Sequence, residues 1–284
     1  MIDIAHLKSW IGRTAEATDV AAPGPLTRLA ALLDHEALPW ILDQLPPLAH
    51  WLYFLPDARQ SELDSDGHPK RGDFLPPVPS PRRMWAGSRL EFRAPIRIGT
   101  AMTKTSTIAA VEAKSGVSGE MVFVTIRHEI SAAADVAVVE EQDIVYREPP
   151  NASAASAGSR APAAEERIPE WRRTITPDPV QLFRYSALTF NSHRIHYDRE
   201  YCRDVEGYPG LVVHGPYIAT LLADHFLRQH PRTPLAKLRF RAHRPLFDTA
   251  PFDLCGCRAE GGADLWARGP SGEIATFMTV ALAK

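Results

Sequence analysis

Apolar and polar residues alternate along Arg89-Leu-Glu-Phe-Arg-Ala-Pro-Ile-Arg-Ile, which predicts a β-strand with one buried face. Lys237-Leu-Arg-Phe-Arg-Ala-His-Arg-Pro-Leu repeats its basic-Leu-X-Phe-Arg-Ala core 148 residues later. A second pair of strings, Ser118-Gly-Glu-Met-Val-Phe-Val-Thr-Ile and Ser271-Gly-Glu-Ile-Ala-Thr-Phe-Met-Thr-Val, follows at an offset of 153. Two strand signatures in the same order at nearly one offset predict a duplicated unit. Ahead of each set lies a helical pattern. Leu26, Leu29, Ala30 and Leu33 share a face after Pro25, and Ile218, Leu221, Leu222 and Phe226 do so after Pro216.

Strands follow one another through Gly-containing turns, at Lys114-Ser-Gly and at Glu260-Gly-Gly-Ala-Asp, so the expected sheet is antiparallel. The fold class is α+β, a double hotdog: two fused units, each a helix wrapped by an antiparallel sheet. From Pro149 to Ala164 the chain is too poor in large apolar residues to join a core. The predicted division is therefore 1–148, a linker at 149–166, and 167–284.

Composition narrows the function without naming it. With 32 basic and 34 acidic residues among 284, the net charge of -2 creates no global field for nucleic acid or an anionic membrane, and neither is expected as a partner. No apolar run reaches the ~18 to 20 residues that span a bilayer. Three cysteines, Cys202, Cys255 and Cys257, do not make a disulfide framework, and the first residues lack the order of a signal peptide. A reducing, cytoplasmic setting is expected. Cys255-Gly-Cys257 lies in an alternating stretch with no second ligand pair at zinc spacing, so it reads as strand and no metal is assigned.

Polar groups concentrate between Phe183 and Asp198 and again before the helix at Pro216. His193, His196 and His214 stand near Asn191, Arg194 and Asp198, ahead of helix-start amides that lack intrahelical partners. Singly, His193 and His214 read as structural, and Gly215-Pro216 as the opening of a helix. Together they predict a site: histidine moves protons near neutral pH, and amides at a helix start stabilise an oxyanion. Along Lys237 to His243, alternation puts Lys237, Arg239, Arg241 and His243 on one face. That pattern ordinarily marks a solvated face; its functional alternative is contact of Arg239 and Arg241 with the phosphates of a ligand.

The stretch Asn191-Ser-His-Arg-Ile-His-Tyr-Asp198, with Gly215 opening the later helix, resembles the motif of the MaoC-like, R-specific enoyl-CoA hydratases. The His-X-Asp half matches. The family's catalytic Asp is replaced by Asn191, its Asn by His193 and its Pro by Arg194. Thr189 to Asp198 and Phe74 to Gly87 more closely resemble the two-hotdog branch of mesaconyl-CoA and itaconyl-CoA hydratases and mitochondrial type-two 3-hydroxyacyl-thioester dehydratases.

This resemblance implies a hydratase/dehydratase acting on an acyl-CoA, foremost a short dicarboxylic one such as mesaconyl-CoA or itaconyl-CoA whose CoA phosphates Arg239 and Arg241 would meet, with no cofactor beyond the CoA of the substrate. His196 is expected to transfer the proton, Asn191 to orient water, the Gly215 amide to meet the oxyanion, and Asp198 to support the imidazole. His193, Arg194, Tyr197 and His214 are expected to bind substrate, with Arg194 clamping a second carboxylate if the substrate is dicarboxylic. The first unit, lacking a comparable His cluster, is expected to be non-catalytic, its Pro76 to Trp85 segment serving as wall, lid or rigid cover. A fatty-acid dehydratase, a hotdog thioesterase and a non-catalytic acyl-CoA binder are the alternatives. Association into a homo-oligomer is expected.

Overall fold

The structure, a computed structural model, describes residues 2–116, 119–148 and 168–283. The predicted linker and Ser118 lie outside them. Among the described residues the first half carries β1 (Thr14–Val20), β2 (Arg82–Phe92), β3 (Ala101–Gly116), β4 (Gly119–Ala132) and β5 (Asp135–Arg147), with α1 (Ile4–Lys8) and α2 (Pro23–Leu32). The second half carries β6 (Trp171–Ile175), β7 (Leu235–Ala242), β8 (Phe252–Ala259), β9 (Gly262–Arg268) and β10 (Ile274–Leu282). Its helices are α3 (Pro179–Thr189), α4 (Arg199–Asp204) and α5 (Gly215–Gln229).

All ten strands join one antiparallel sheet in the order β1-β3-β4-β5-β2-β7-β10-β9-β8-β6. Read outward from the β2·β7 seam, the two halves have the same order, so the duplication is visible in the topology. The repeated Leu-X-Phe string forms that seam, with Leu90 paired to Leu238. The second string match is not a repeat of equivalent strands. Gly119 opens β4, whereas Ser271-Gly-Glu leads into β10, whose counterpart by position is β5. Half-buried strands select similar alternation wherever they sit, which is how unrelated strands come to look alike.

In α5 every residue from Tyr217 to Leu227 is buried, because the helix packs on β8, β9 and β10 below and on β2 beside them. Pro216 in its first turn sacrifices no internal hydrogen bond. The helix predicted for the first half exists as α2, but its partner is different from the one expected. It packs on α3, and Leu26, Leu29, Leu32 and Leu33 merge into the same core as α5. At 10 residues, about 15 Å, α2 is too short to run the length of a sheet. The inner face of β3 to β5 is thereby left to line a cavity. A smaller apolar cluster, including Leu7, Trp10, Val78 and Tyr146, closes the far end of the first half. Cys255 and Cys257 lie in β8 as predicted, and neither is in a disulfide. No helix among the described residues is long and apolar enough to cross a membrane.

Candidate active site

α3 starts at Asp178, whose carboxylate caps the amides of Val180 and Gln181, and stops at Phe190 in the left-handed region. There Asn191 Oδ1 accepts the His193 amide at 3.0 Å, a side-chain turn that redirects the backbone into one tight helical turn, Arg194–His196. The result is an inward-facing, buried His196.

His196 Nδ1 lies 2.7 Å from the Val212 carbonyl, which only accepts, so Nδ1 carries the proton and Nε2 keeps its lone pair. No protein group among the described residues bonds that Nε2, and His196 lines a cavity of about 710 Å³. Its ring stacks on His214 at 3.6 Å between centroids and 16° between planes. His214 in turn bonds Ser186 Oγ at 2.8 Å. Burial holds His196 down at about 4 and His214 well below the ordinary imidazole range. Both rings are neutral at pH 7, as required of a base.

Gly215 opens α5 beside this pair and lines the cavity. A Cβ there would meet only the Trp85 carbonyl, at 3.9 Å, so the protein's own packing does not demand glycine. The open space over the helix start suits a ligand carbonyl approaching unpaired amides. Phe74, Leu75, Met84 and Trp85 line the cavity too, so the proline-rich segment and its flanks build wall.

The structure brings Asn191, His193, His196 and Gly215 to one cavity and sends other candidates elsewhere. Asp198 does not support the imidazole. Its Oδ1 caps α4 through the Tyr201 amide at 2.9 Å, and its Oδ2 accepts from Arg194 Nε and Nη2 at 3.0 and 2.8 Å. Arg194 is therefore not a clamp in the cavity: it is pinned by Asp198, by the Ser65 carbonyl at 3.1 Å and by the Tyr201 ring at 4.2 Å. Tyr197 is 48% exposed and bonds the Ser192 carbonyl, outside the cavity. Arg239 and Arg241 point from β7 to solvent, opposite buried Leu238 and Phe240, as a solvated face would.

The first half is not devoid of histidines at the site. His68, 17% exposed, lines the cavity and donates from Nδ1 to Asp66 Oδ2 at 2.9 Å, while its ring lies 4.0 Å from that of His193. Deeper in the first half, buried Glu140 accepts from His50 Nε2 at 3.0 Å and Trp51 Nε1 at 2.9 Å. Burial alone would raise its carboxyl, yet the His50 bond and charge hold it at about 2. In the sequence His50, His68 and His128 are dispersed without a motif; only the turn-like Asp66-Gly-His68 signalled local structure.

Residues 48–248 match the family model of hydroxyacyl-thioester dehydratase type 2. The chain is 46% identical over 279 residues to the mesaconyl-C(4)-CoA hydratase of Chloroflexus aurantiacus, with 98% of each chain covered. Among solved structures it is similar to a MaoC-like dehydratase from Phytophthora capsici, at TM-score 0.68 and 14% identity over 99% of each chain. It is also similar to a Mycobacterium tuberculosis protein described as having a double hotdog fold, at TM-score 0.55 and 14% identity over 96% of each. Those likenesses, with the mirrored strand order, make the fold a double hotdog.

Proposed function

Because the chain belongs to the hydroxyacyl-thioester dehydratase type 2 family, we propose that it is a hydro-lyase for a short dicarboxylic acyl-CoA such as mesaconyl-C4-CoA. It adds water across the α,β double bond and removes it in reverse. The observation that carries the reading is His196, which lines the cavity beside the start of α5, tied at Nδ1 to Val212 and with no described protein partner at Nε2.

Water attacks the electrophilic β-carbon while the π electrons move toward the thioester oxygen. His196 Nε2 accepts a hydrogen bond from that water, and the Gly215 amide meets the developing oxyanion; Pro216 has no N–H to offer. The proton that water loses is returned to the α-carbon, so the sum is one H and one OH added. Asn191 borders the water from the loop, its Oδ1 engaged by the His193 amide.

In a mesaconyl-C4 thioester the free carboxylate sits on the carbon that water attacks, so its counter-charge belongs near the histidines. Arg83 of β2 lines the cavity and has no ion-pair partner among the described residues. Burial depresses its guanidinium, with Tyr146 and Asp66 opposing that effect. A substrate carboxylate would relieve the burial and form a bidentate pair. The working protein is read as a cytoplasmic homo-oligomer, in keeping with cysteines that form no disulfide and with the edges that β1 and β6 leave at the ends of the sheet.

The test is a panel of mesaconyl-C4-, itaconyl- and crotonyl-CoA followed by loss of the conjugated chromophore, with free thiol measured alongside. Mesaconyl-C4-CoA is expected to give the highest kcat/KM with no thiol release. Thiol release without hydration would make the protein a thioesterase, and binding of the thioesters without turnover would make it a carrier.

A further inference from the structure

Asp66, Gly67 and His68 belong to a first-half loop that is fastened onto the catalytic loop of the second half. Asp66 O accepts the Arg194 amide at 2.9 Å, Ser65 O accepts the Arg194 guanidinium, and Gly67 O accepts the Ser192 hydroxyl. Gly67 has φ of +90°, and a Cβ on it would lie 2.0 Å from Ser192 O, so only glycine allows this approach. The fastening lays His68 on His193, whose ring is 5.4 Å from that of His196.

Asp66 holds His68 from two sides. Its Oδ1 accepts the His68 amide and its Oδ2 the Nδ1 proton, both at 2.9 Å. That fixes the tautomer with a lone pair on Nε2, for which no described protein group is a partner. His68 and His196, both lining one cavity, thus each keep the lone pair on Nε2. Only one, His68, has a carboxylate behind it to stabilise an imidazolium; behind His196 lie a neutral carbonyl and the neutral ring of His214.

We propose that His68 is a second catalytic residue of this site, the one that carries the proton, with Asp66 as its positioning partner. The inference rests on the hydratase reading and refines it. As the oxygen of water bonds to the β-carbon, its proton passes to His68 Nε2 and the π pair moves to the thioester oxygen. When the enolate collapses, that proton is delivered to the α-carbon and His68 is neutral again. His196 holds the other hydrogen of the water throughout. Arg194 and Ser192 then matter because they fasten the dyad in place.

The experiment compares wild type with His68→Ala, His68→Gln, Asp66→Asn and Asp66→Glu on mesaconyl-C4-CoA, with and without added imidazole. Both His68 variants are expected to lose about 10²- to 10⁴-fold in kcat, with KM changed less than about threefold. Imidazole is expected to restore at least about tenfold of the loss in His68→Ala alone, because only that variant leaves room for it. Asp66→Asn should lower kcat at unchanged KM, and Asp66→Glu should recover part of it. Folded His68 variants with near-normal kcat overturn the proposal while leaving the hydratase reading intact. A wild type that hydrates none of the thioesters overturns both. Stoichiometric metal in the wild type that is lost in His68→Ala also overturns it, since Asp66, His68 and His193 have ligand atoms within 4.8 Å of one another and would then be a metal site.

Discussion

Leu90 of β2 and Leu238 of β7 face each other in register across the seam of the sheet, and they are also the same residue of the 148-residue repeat. The pseudo-twofold axis relating the halves therefore passes between them. Both are almost fully buried, at 2% and 1% exposure, in the core that also contains α5. Leu90→Ala and Leu238→Ala are each expected to cost about 2 to 5 kcal/mol in urea unfolding. The double variant should cost less than the sum, because the second truncation enlarges a cavity already made. Additive losses would mean that the two side chains pack independently.

The seam and α5 were legible because each is local: an alternating string and a 3.6-residue apolar stripe carry their own partners' requirements. The loop of His196 was legible for a different reason, since the Asn191 turn, His196 and Gly215 crowd into 25 residues. What failed was assigning each polar residue of the motif to the substrate. Arg194 and Asp198 are four apart, the spacing that lets charges pair along a helical turn, and they satisfy each other. His68 and Glu140 were invisible because only the tertiary fold brings them to the cavity wall. Nothing in a single sequence distinguishes a histidine in a loop from one that the loop delivers to a site in the other half.

His196→Ala is expected to lower kcat by about 10²- to 10⁴-fold. Loss of the Val212 hydrogen bond and of the stack on His214 should cost stability only on the order of 1 kcal/mol. Turnover and thermal melting on the same preparation separate the effects. Near-normal kcat would remove His196 from the mechanism.

Stability is expected to fall in mild acid, before most carboxylates titrate. His193, His196 and His214 are buried, and burial, the largest cause in each, lowers their affinity for protons. The unfolded chain binds protons at these positions near the ordinary value of about 6.5. Their contribution is therefore complete above that pH and is lost as pH falls toward the folded values. For His196, held at about 4, the loss by pH 5 is about 2 kcal/mol. Urea unfolding at pH 7 and pH 5 measures it, and His196→Gln should reduce the difference by about that amount. A protein equally stable at both pH values would contradict neutral burial of these rings.

Arg194 and Arg83 should behave oppositely when tested on substrates with and without a second carboxylate. Arg194 is committed to Asp198, the Ser65 carbonyl and the Tyr201 face, and its guanidinium does not line the cavity. Replacing it with Gln loosens the fastening of the 65–68 loop, which serves every substrate alike, so kcat/KM should fall by a similar factor for mesaconyl-C4-CoA and crotonyl-CoA. Arg83 lines the cavity without an ion-pair partner among the described residues, near enough to Asp66 to feel its charge. An unpaired, desolvated guanidinium gains most from a ligand that brings its own charge, and a charge-assisted hydrogen bond contributes about 1.5 to 3 kcal/mol. Arg83→Gln should accordingly lower kcat/KM for mesaconyl-C4-CoA by about 10- to 100-fold while changing crotonyl-CoA little. Equal losses on both substrates in Arg83→Gln would assign this arginine to the wall, and a selective loss in Arg194→Gln would return the carboxylate to the second-half loop.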